Sequence, residues 1–345
     1  MELYDDLENL EDLPRIKNMP ESRSPQPWRV RPKIQKKLSQ SEILASLKEQ
    51  NDEVGDYSFT YKASRHEREW IVNSLGLFYE LQWFSDVLRL VKGGKEASVY
   101  QCIASSNSPV DGKFIAAKVY RPRRFRNLRK DHIYREGRDE VDASGNVIID
   151  GGMLKAIRQR SVYGRHIVHT SWLEHEFKTM QLLYAAGADV PKPYTSGNNA
   201  ILMEFIGDAE IAAPTLNTID LDLVEANILF ERIIFNIEIM LANERVHADL
   251  SAFNILYWDG EIVLIDFPQA ISSLENQNAF SIFERDLRRI CEYFIRQGVT
   301  VDFQELARKL WQTYEYRRMP KIDLSLLDGE DEQDRAYWDQ LKNEL

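Results

Sequence analysis

The stretch 247–267, HADLSAFNILYWDGEIVLIDF, constrains the fold more than any other part of the chain. Two apolar runs, NILYW and EIVLIDF, flank the pair Asp259-Gly260. An Asp-Gly pair readily takes the two positive-φ positions of a tight hairpin turn, so the runs predict two antiparallel strands. A hairpin of this length folds back and brings Asp266, at the end of its second strand, beside Asn254 at the start of its first. Helical patterns surround it, at about 221–243 before and at about 280–297 and 302–316 after.

Upstream the texture changes. VLRLVKGGKEASVYQCIA reads as strand, turn, strand; KFIAAKVY as another strand; AILMEFI as a short apolar strand. SWLEHEFKTMQLLYAAGA sets Trp172, Phe177, Met180 and Leu183 at helical spacing and ends at Gly187. Strands and one helix, then mostly helices around one hairpin, predict an α+β, bilobal architecture. A small N-lobe carries an antiparallel sheet, a helical C-lobe follows, and a cleft lies between them. The expected layout is a poorly ordered acidic and proline-containing segment over 1–38 and a helical extension over 39–84. The N-lobe follows over 85–206 with a long polar loop at 121–171, then the C-lobe over 207–320 and an acidic tail over 321–345. Within the extension, Ser39 and Glu42 fit a capping box. A second helix is expected at about 63–77, with Trp70, Ile71 and Leu75 on one face.

Composition narrows the class. A net charge of −11 argues against a chain that coats nucleic acid. Lys118–Lys130, KVYRPRRFRNLRK, nevertheless holds seven basic residues and no acidic one. Such a stripe is a candidate contact for phosphate, of a nucleotide or of RNA; a solvated loop is the plainer alternative. No apolar run approaches the roughly 18 residues a membrane-spanning helix needs, so no membrane contact is expected. The start, MELYDDLENLEDL, has no hydrophobic signal region. Cys102 and Cys291 match no metal-ligand spacing, and a reduced, cytoplasmic protein is expected.

The chemistry concentrates in HADLSAFN. His247, Asp249 and Asn254 have the H-x-D-x-x-x-x-N spacing of a protein-kinase catalytic loop. Phosphoryl transfer needs a carboxylate that orients the attacking oxygen and accepts its proton. It also needs oxygen ligands on the cation that neutralises phosphate charge. Asp249 fits the first need, and Asn254 with Asp266 fits the second. Singly, each could be a turn, cap or loop residue; the spacing around the hairpin gives them a joint meaning. His247 reads as a structural histidine bonded to loop backbone. Lys118 lies in the apolar strand FIAAKVY, where a buried ammonium needs partners. A nucleotide phosphate and a helical carboxylate would provide them. Glu176 is the better carboxylate, because Glu174, two residues earlier on a helix, should point elsewhere. In VKGGKEASVY, Gly93 and Gly94 permit a tight turn that exposes backbone N–H groups. Lys95 and Ser98 are candidates to reach phosphate.

Together these pieces resemble the RIO family of atypical serine/threonine kinases and ATPases. The segments that carry the resemblance are GGKEASVY, AAKVY, WLEHEF, VPKPY, LMEFIGD, HADLSAFNIL and LIDFPQA, within about 85–297. The likeness is to the subfamily without an N-terminal winged helix. It implies ATP and Mg²⁺ as cofactors. Gly94, Lys95, Ser98 and Val99 would belong to the phosphate loop, Lys118 would hold phosphates and pair with Glu176, and Glu204 and Ile206 would present hinge backbone to adenine. Asp249 would be the catalytic acceptor, Asn254 and Asp266 the metal ligands, and Asp266 also a site of aspartyl-phosphate formation. The family's ribosome-associated members imply a pre-ribosomal partner in small-subunit maturation, with 118–130 as an RNA contact. The metal motif here is Asp-Phe-Pro, and no Ala-Pro-Glu segment follows, so a full peptide-docking lobe is not expected. Two other readings compete. A small-molecule phosphotransferase would carry H-G-D-x-H-x-x-N, against which Ala248 and Ser251 speak; a non-catalytic nucleotide-binding scaffold would not need the full set of charged residues.

Overall fold

A five-stranded antiparallel sheet, in the order β1-β2-β3-β5-β4, organises the first half of the computed structural model. The structure describes residues 57–94, 97–120, 139–142, 145–159 and 161–315. The expectations for 1–56, for Lys95, for the basic run from 121 onward and for the acidic tail lie outside the described residues. The strands are β1 (Phe84–Gly93), β2 (Ala97–Ala104), β3 (Phe114–Tyr120), β4 (Pro193–Gly197) and β5 (Ala200–Glu204).

The two-residue period of β3 decides what faces the cleft. Ile115, Ala117 and Val119 pack into an aromatic-rich cluster with Phe84, Tyr100, Ile71, Leu75 and Phe78, the last three from helix α1 (Arg65–Glu80). Ala116, Lys118 and Tyr120 therefore point the other way, toward the cleft and the helix behind it. Helix α1 starts at Ser64, whose side chain accepts from the Glu67 N–H, and runs three residues beyond its expected end.

Part of the stretch expected as a long loop is helical. Helix α2 (Gly151–Arg158) and helix α3 (Val162–Ala185) begin well before the Ser171 start read from periodicity. Asp150 caps α2 by accepting from Met153 N–H at 2.8 Å, and Ser161 caps α3 by accepting from Gly164 N–H at 3.0 Å. Gly164 permits the close crossing of the two helices: a Cβ there would lie 2.0 Å from the Ala156 carbonyl oxygen. Polar composition hid these turns because helix α2 buries no residue.

The second half packs α4 (Leu223–Ala242), α5 (Ala279–Arg296) and α6 (Phe303–Glu315) around the apolar side of the hairpin β7 (Ile255–Trp258) and β8 (Glu261–Leu264). Asp259 and Gly260 have φ of 51° and 81°, the paired positive angles the Asp-Gly signal requires. Two short strands, β6 (Arg245–Val246) and β9 (Ile271–Ser272), pair across the ends of the intervening segment. They bracket both the loop 247–254 and the turn that carries Asp266.

Candidate active site

A cavity of about 800 Å³ opens between the sheet and the helical half. Its walls include Gly94, Val99, Lys118, Glu176, Glu204, Ile206, Asp249 and Asp266. Eight of the residues singled out from the sequence are thus brought together. Ser98 is not among the lining residues. It shares strand parity with Tyr100 and Cys102, so it is turned toward α1, buried, with its hydroxyl near that of Tyr100. The expectation that Ser98 reaches a phosphate is corrected by that alternation; Val99, its neighbour, takes the cleft face.

Lys118 is the hub. Its Nζ lies 2.6 Å from Glu176 Oε1 and 2.6 Å from Asp266 Oδ1. Burial alone would lower the lysine's pKa, but the charges of Asp266 and Glu176 outweigh it and hold the ammonium protonated well above the usual range. Desolvation likewise pushes Asp266 up, yet the Lys118 charge and hydrogen bond, aided by Lys92, bring its carboxyl below the ordinary value. Asp266 also has φ of 74°, a conformation Asp tolerates better than most residues. Glu176 is almost fully buried and is held by two further donors: the Tyr120 hydroxyl and, at 3.3 Å, the Phe267 N–H. Trp172 braces Tyr120 edge-on with ring centres 5.0 Å apart. Glu174 turns away, as helical geometry predicts, and accepts from the Ser196 hydroxyl at 2.8 Å.

The catalytic-loop spacing resolves into a hydrogen-bonded frame. Asn254 Nδ2 donates to the Asp249 carbonyl at 2.9 Å and to Asp249 Oδ2 at 3.2 Å. Its amide nitrogen is thereby spent, and its carbonyl oxygen is the end suited to a cation. The backbone carbonyl of Asn254 accepts from Ile265 N–H at 3.0 Å, which sets Asp266 next to Asn254 as the hairpin predicts. His247 does structural work: Nδ1 accepts from Asp249 N–H at 3.3 Å, so Nε2 carries the proton and donates to the Ile265 carbonyl at 3.1 Å. An amide oxygen beside a carboxylate that is 42% exposed suits Mg²⁺, which takes one or two protein oxygens and fills its remaining positions with phosphate and water.

Helix α5 supplies residues that sequence reading missed. Arg285 donates to the carbonyl of Ala248, a non-glycine residue at φ 67°. Asp286 is buried, and its backbone-facing oxygen meets the Leu250 N–H. Desolvation pushes the Asp286 carboxyl above its ordinary value, and its Oδ2 has no hydrogen-bond partner among the described residues. Arg289 donates from Nη1 to Asp249 Oδ1 at 3.0 Å. The signal was present in FERDLRRI: an acidic residue falls on the apolar stripe of Phe283, Leu287 and Ile290. Tyr120 and Lys92 were also missed, although Tyr120 shares strand parity with Lys118.

A family model described as the RIO domain matches residues 98–306, more than half of the chain. The chain belongs to the RIO family. Among curated relatives, the RIO-type serine/threonine-protein kinase Rio1 of Haloferax volcanii is 28% identical over 63% of this chain and 66% of its own length. The human serine/threonine-protein kinase RIO1 is 27% identical over 61% of this chain and 34% of its own. The chain therefore spans between about a third and two thirds of the length of these RIO relatives. The Rio2 kinase of Chaetomium thermophilum, solved as an ADP/Mg²⁺-phosphoaspartate complex, superposes with a TM-score of 0.50 at 18% identity, covering 88% of this chain and 84% of that one. The fold is therefore that of a protein kinase, α+β and bilobal. Among the described residues of this RIO chain, no helix is long and apolar enough to cross a membrane.

Proposed function

We propose that this RIO chain catalyses ATP- and Mg²⁺-dependent phosphoryl transfer, as an atypical serine/threonine kinase or as an ATPase that passes through a phospho-enzyme. The observation that carries this reading is Lys118 bridging Glu176 and Asp266 on the wall of a cavity that also holds Asp249. Lys118 meets the nucleotide's phosphates. Glu176, locked by Tyr120, fixes where that ammonium points. The Glu204 carbonyl and Ile206 N–H face the adenine edge, with Gly94 and Val99 over the phosphates. Bound Mg²⁺ supplies charge neutralisation on the transferring group, and Asn254 and Asp266 hold it.

In transfer to a hydroxyl, Asp249 orients the acceptor and takes its proton. The new oxygen–phosphorus bond forms as the bond to the ADP leaving oxygen breaks. Asp266 is the alternative acceptor, a reading supported by the phosphoaspartate named for the Chaetomium Rio2 complex. Hydrolysis of that acyl phosphate by water would return the carboxylate and release phosphate. The resemblance to ribosome-associated members supports a switch in small-subunit maturation, with RNA met through 118–130. Two free, buried cysteines, Cys102 and Cys291, are compatible with a cytoplasmic setting.

The test is a phospho-enzyme assay with γ-labelled ATP and Mg²⁺. A hydroxylamine-labile label on the wild type, absent in Asp266→Asn, supports the phospho-enzyme route. Stable label on serine, or transfer to added protein, supports the kinase route. A wild type that neither takes up label nor turns over ATP leaves only a nucleotide-binding scaffold, and phosphate delivered to small amines but not to protein would favour a small-molecule phosphotransferase.

A further inference from the structure

We infer that Arg289 is a positioning residue for the acceptor carboxylate: from helix α5 it fixes the orientation of Asp249 and so sets the rate of the transfer step. This rests on the phosphoryl-transfer reading above.

Helix α5 holds three successive residues of the catalytic loop. Arg285 bonds the Ala248 carbonyl, Asp286 meets the Leu250 N–H, and Arg289 bonds the Asp249 side chain at 3.0 Å. The first two contacts grip backbone and shape the loop. Only the third reaches the group that would do chemistry. The loop 247–254 itself contains no lysine or arginine, so the cation must come from another element. Among the described residues, Arg289 is the one cation in contact with Asp249.

The geometry explains why one contact matters. An aspartate carboxylate turns about a broad torsion with little intrinsic preference. Here Oδ2 is held by Asn254 at 3.2 Å and Oδ1 by Arg289 at 3.0 Å, one partner for each oxygen. Removing Arg289 leaves one long hydrogen bond, and the carboxylate can rotate. Under the proposed roles Asn254 also faces the metal, so Arg289 is the partner dedicated to orientation. Each carboxylate oxygen keeps a further lone pair for an acceptor hydroxyl.

Two observations separate this role from simple structural support. Arg289 is not a lining residue of the cavity, so its loss should leave the nucleotide's surroundings intact. The pair is also well exposed, with side chains 41% and 43% accessible, and pairs of that kind add little to fold stability. An effect on turnover without an effect on nucleotide affinity or unfolding is what orientation predicts.

The experiment compares wild type, Arg289→Ala, Arg289→Lys and Asp249→Asn in Mg²⁺-ATP turnover, with unfolding midpoints measured alongside. Arg289→Ala should lower kcat about tenfold, less than the roughly 10²–10⁴-fold that positioned proton transfer contributes, because Asp249 itself remains. KM for ATP should stay within about twofold, as expected when a contact serves the transition state alone. Arg289→Lys should recover part of kcat, and millimolar guanidinium ion should partly rescue Arg289→Ala but not Asp249→Asn. The inference is overturned if Arg289→Ala matches wild type in kcat, or if kcat falls only together with a large drop in unfolding midpoint and no guanidinium rescue. A wild type with no turnover would overturn the phosphoryl-transfer reading itself, a different result from an active wild type indifferent to Arg289.

Discussion

The two carboxylates that line the cavity, Asp266 and Asp249, are held by different physics. Asp266 is fixed by charge. Its partner Lys118 is only 8% exposed and is shared with a Glu176 that is 1% exposed, so one buried ammonium attracts two carboxylates that repel each other, although Asp266 itself is 42% exposed. Asp249 is fixed by scaffold. Its side chain is about as accessible as that of Asp266, at 43% against 42%, but its place comes from the neutral Asn254 amide, the His247 ring and one exposed ion pair with Arg289 of helix α5. Buried charges are costly unless every member is paired, so the Asp266 side is coupled to folding. The Asp249 side can be altered with less consequence for the fold. Under the proposed roles, the nucleotide-holding side benefits from a rigid charge network, whereas the acceptor side must stay open to an incoming substrate.

Breaking the charged side should therefore give the largest effect. Lys118→Met leaves Glu176 and Asp266 facing each other without their shared cation. Removing one partner of a buried pair costs about 3–5 kcal/mol. Turnover should fall by roughly two to three orders of magnitude, the scale for losing one preorganised electrostatic contact. Thermal unfolding and steady-state kinetics together read both losses, and a variant as stable as wild type would erase the contrast between the two sides.

A milder cut tests how Glu176 is aimed. Tyr120→Phe deletes the hydroxyl that donates to Glu176 but keeps the ring against Trp172. The expected loss is about 1.5–3 kcal/mol, as for a hydrogen bond to a charged group, visible as a lower unfolding midpoint. KM for ATP should rise modestly as the Lys118 ammonium loses its fixed direction.

The smallest effect sharpens the comparison through pH. Asp266 is held below its ordinary value of 3.8, so the stability it contributes is present above that value and is lost as pH falls through its lower folded value. Asp286, in the scaffold of the Asp249 side, is shifted the other way by burial. In the window above 3.8 its folded form binds more protons than its unfolded form, so stability declines as pH rises through that window. Asp286→Asn should flatten that decline while retaining an acceptor for the Leu250 N–H. Chemical denaturation at a series of pH values measures the slope; an unchanged slope would mean that Asp286 stays ionised in both states.

Sequence alone determined the parts of this protein that depend on local rules. The Asp-Gly turn fixed the hairpin, the hairpin set Asp266 beside Asn254, and the spacing of His247, Asp249 and Asn254 placed them on one loop. The apolar character of β3 announced that Lys118 needed partners, and helix direction separated Glu176 from Glu174. Tertiary structure decided what depends on which face of an element meets which neighbour. Strand parity turned Ser98 toward α1 and Tyr120 toward Glu176, an outcome that rests on how the sheet is covered. Helix α2 and the first turns of α3 occupy a stretch whose polar composition suggested only loop, because α2 buries no residue and is set by its Asp150 cap and the close crossing at Gly164. Arg285, Asp286 and Arg289 lie 31 or more positions from the loop they grip. No period or motif links such distant positions; only the packing of α5 against the loop 247–254 brings a helix's charges within hydrogen-bond distance of Ala248, Asp249 and Leu250.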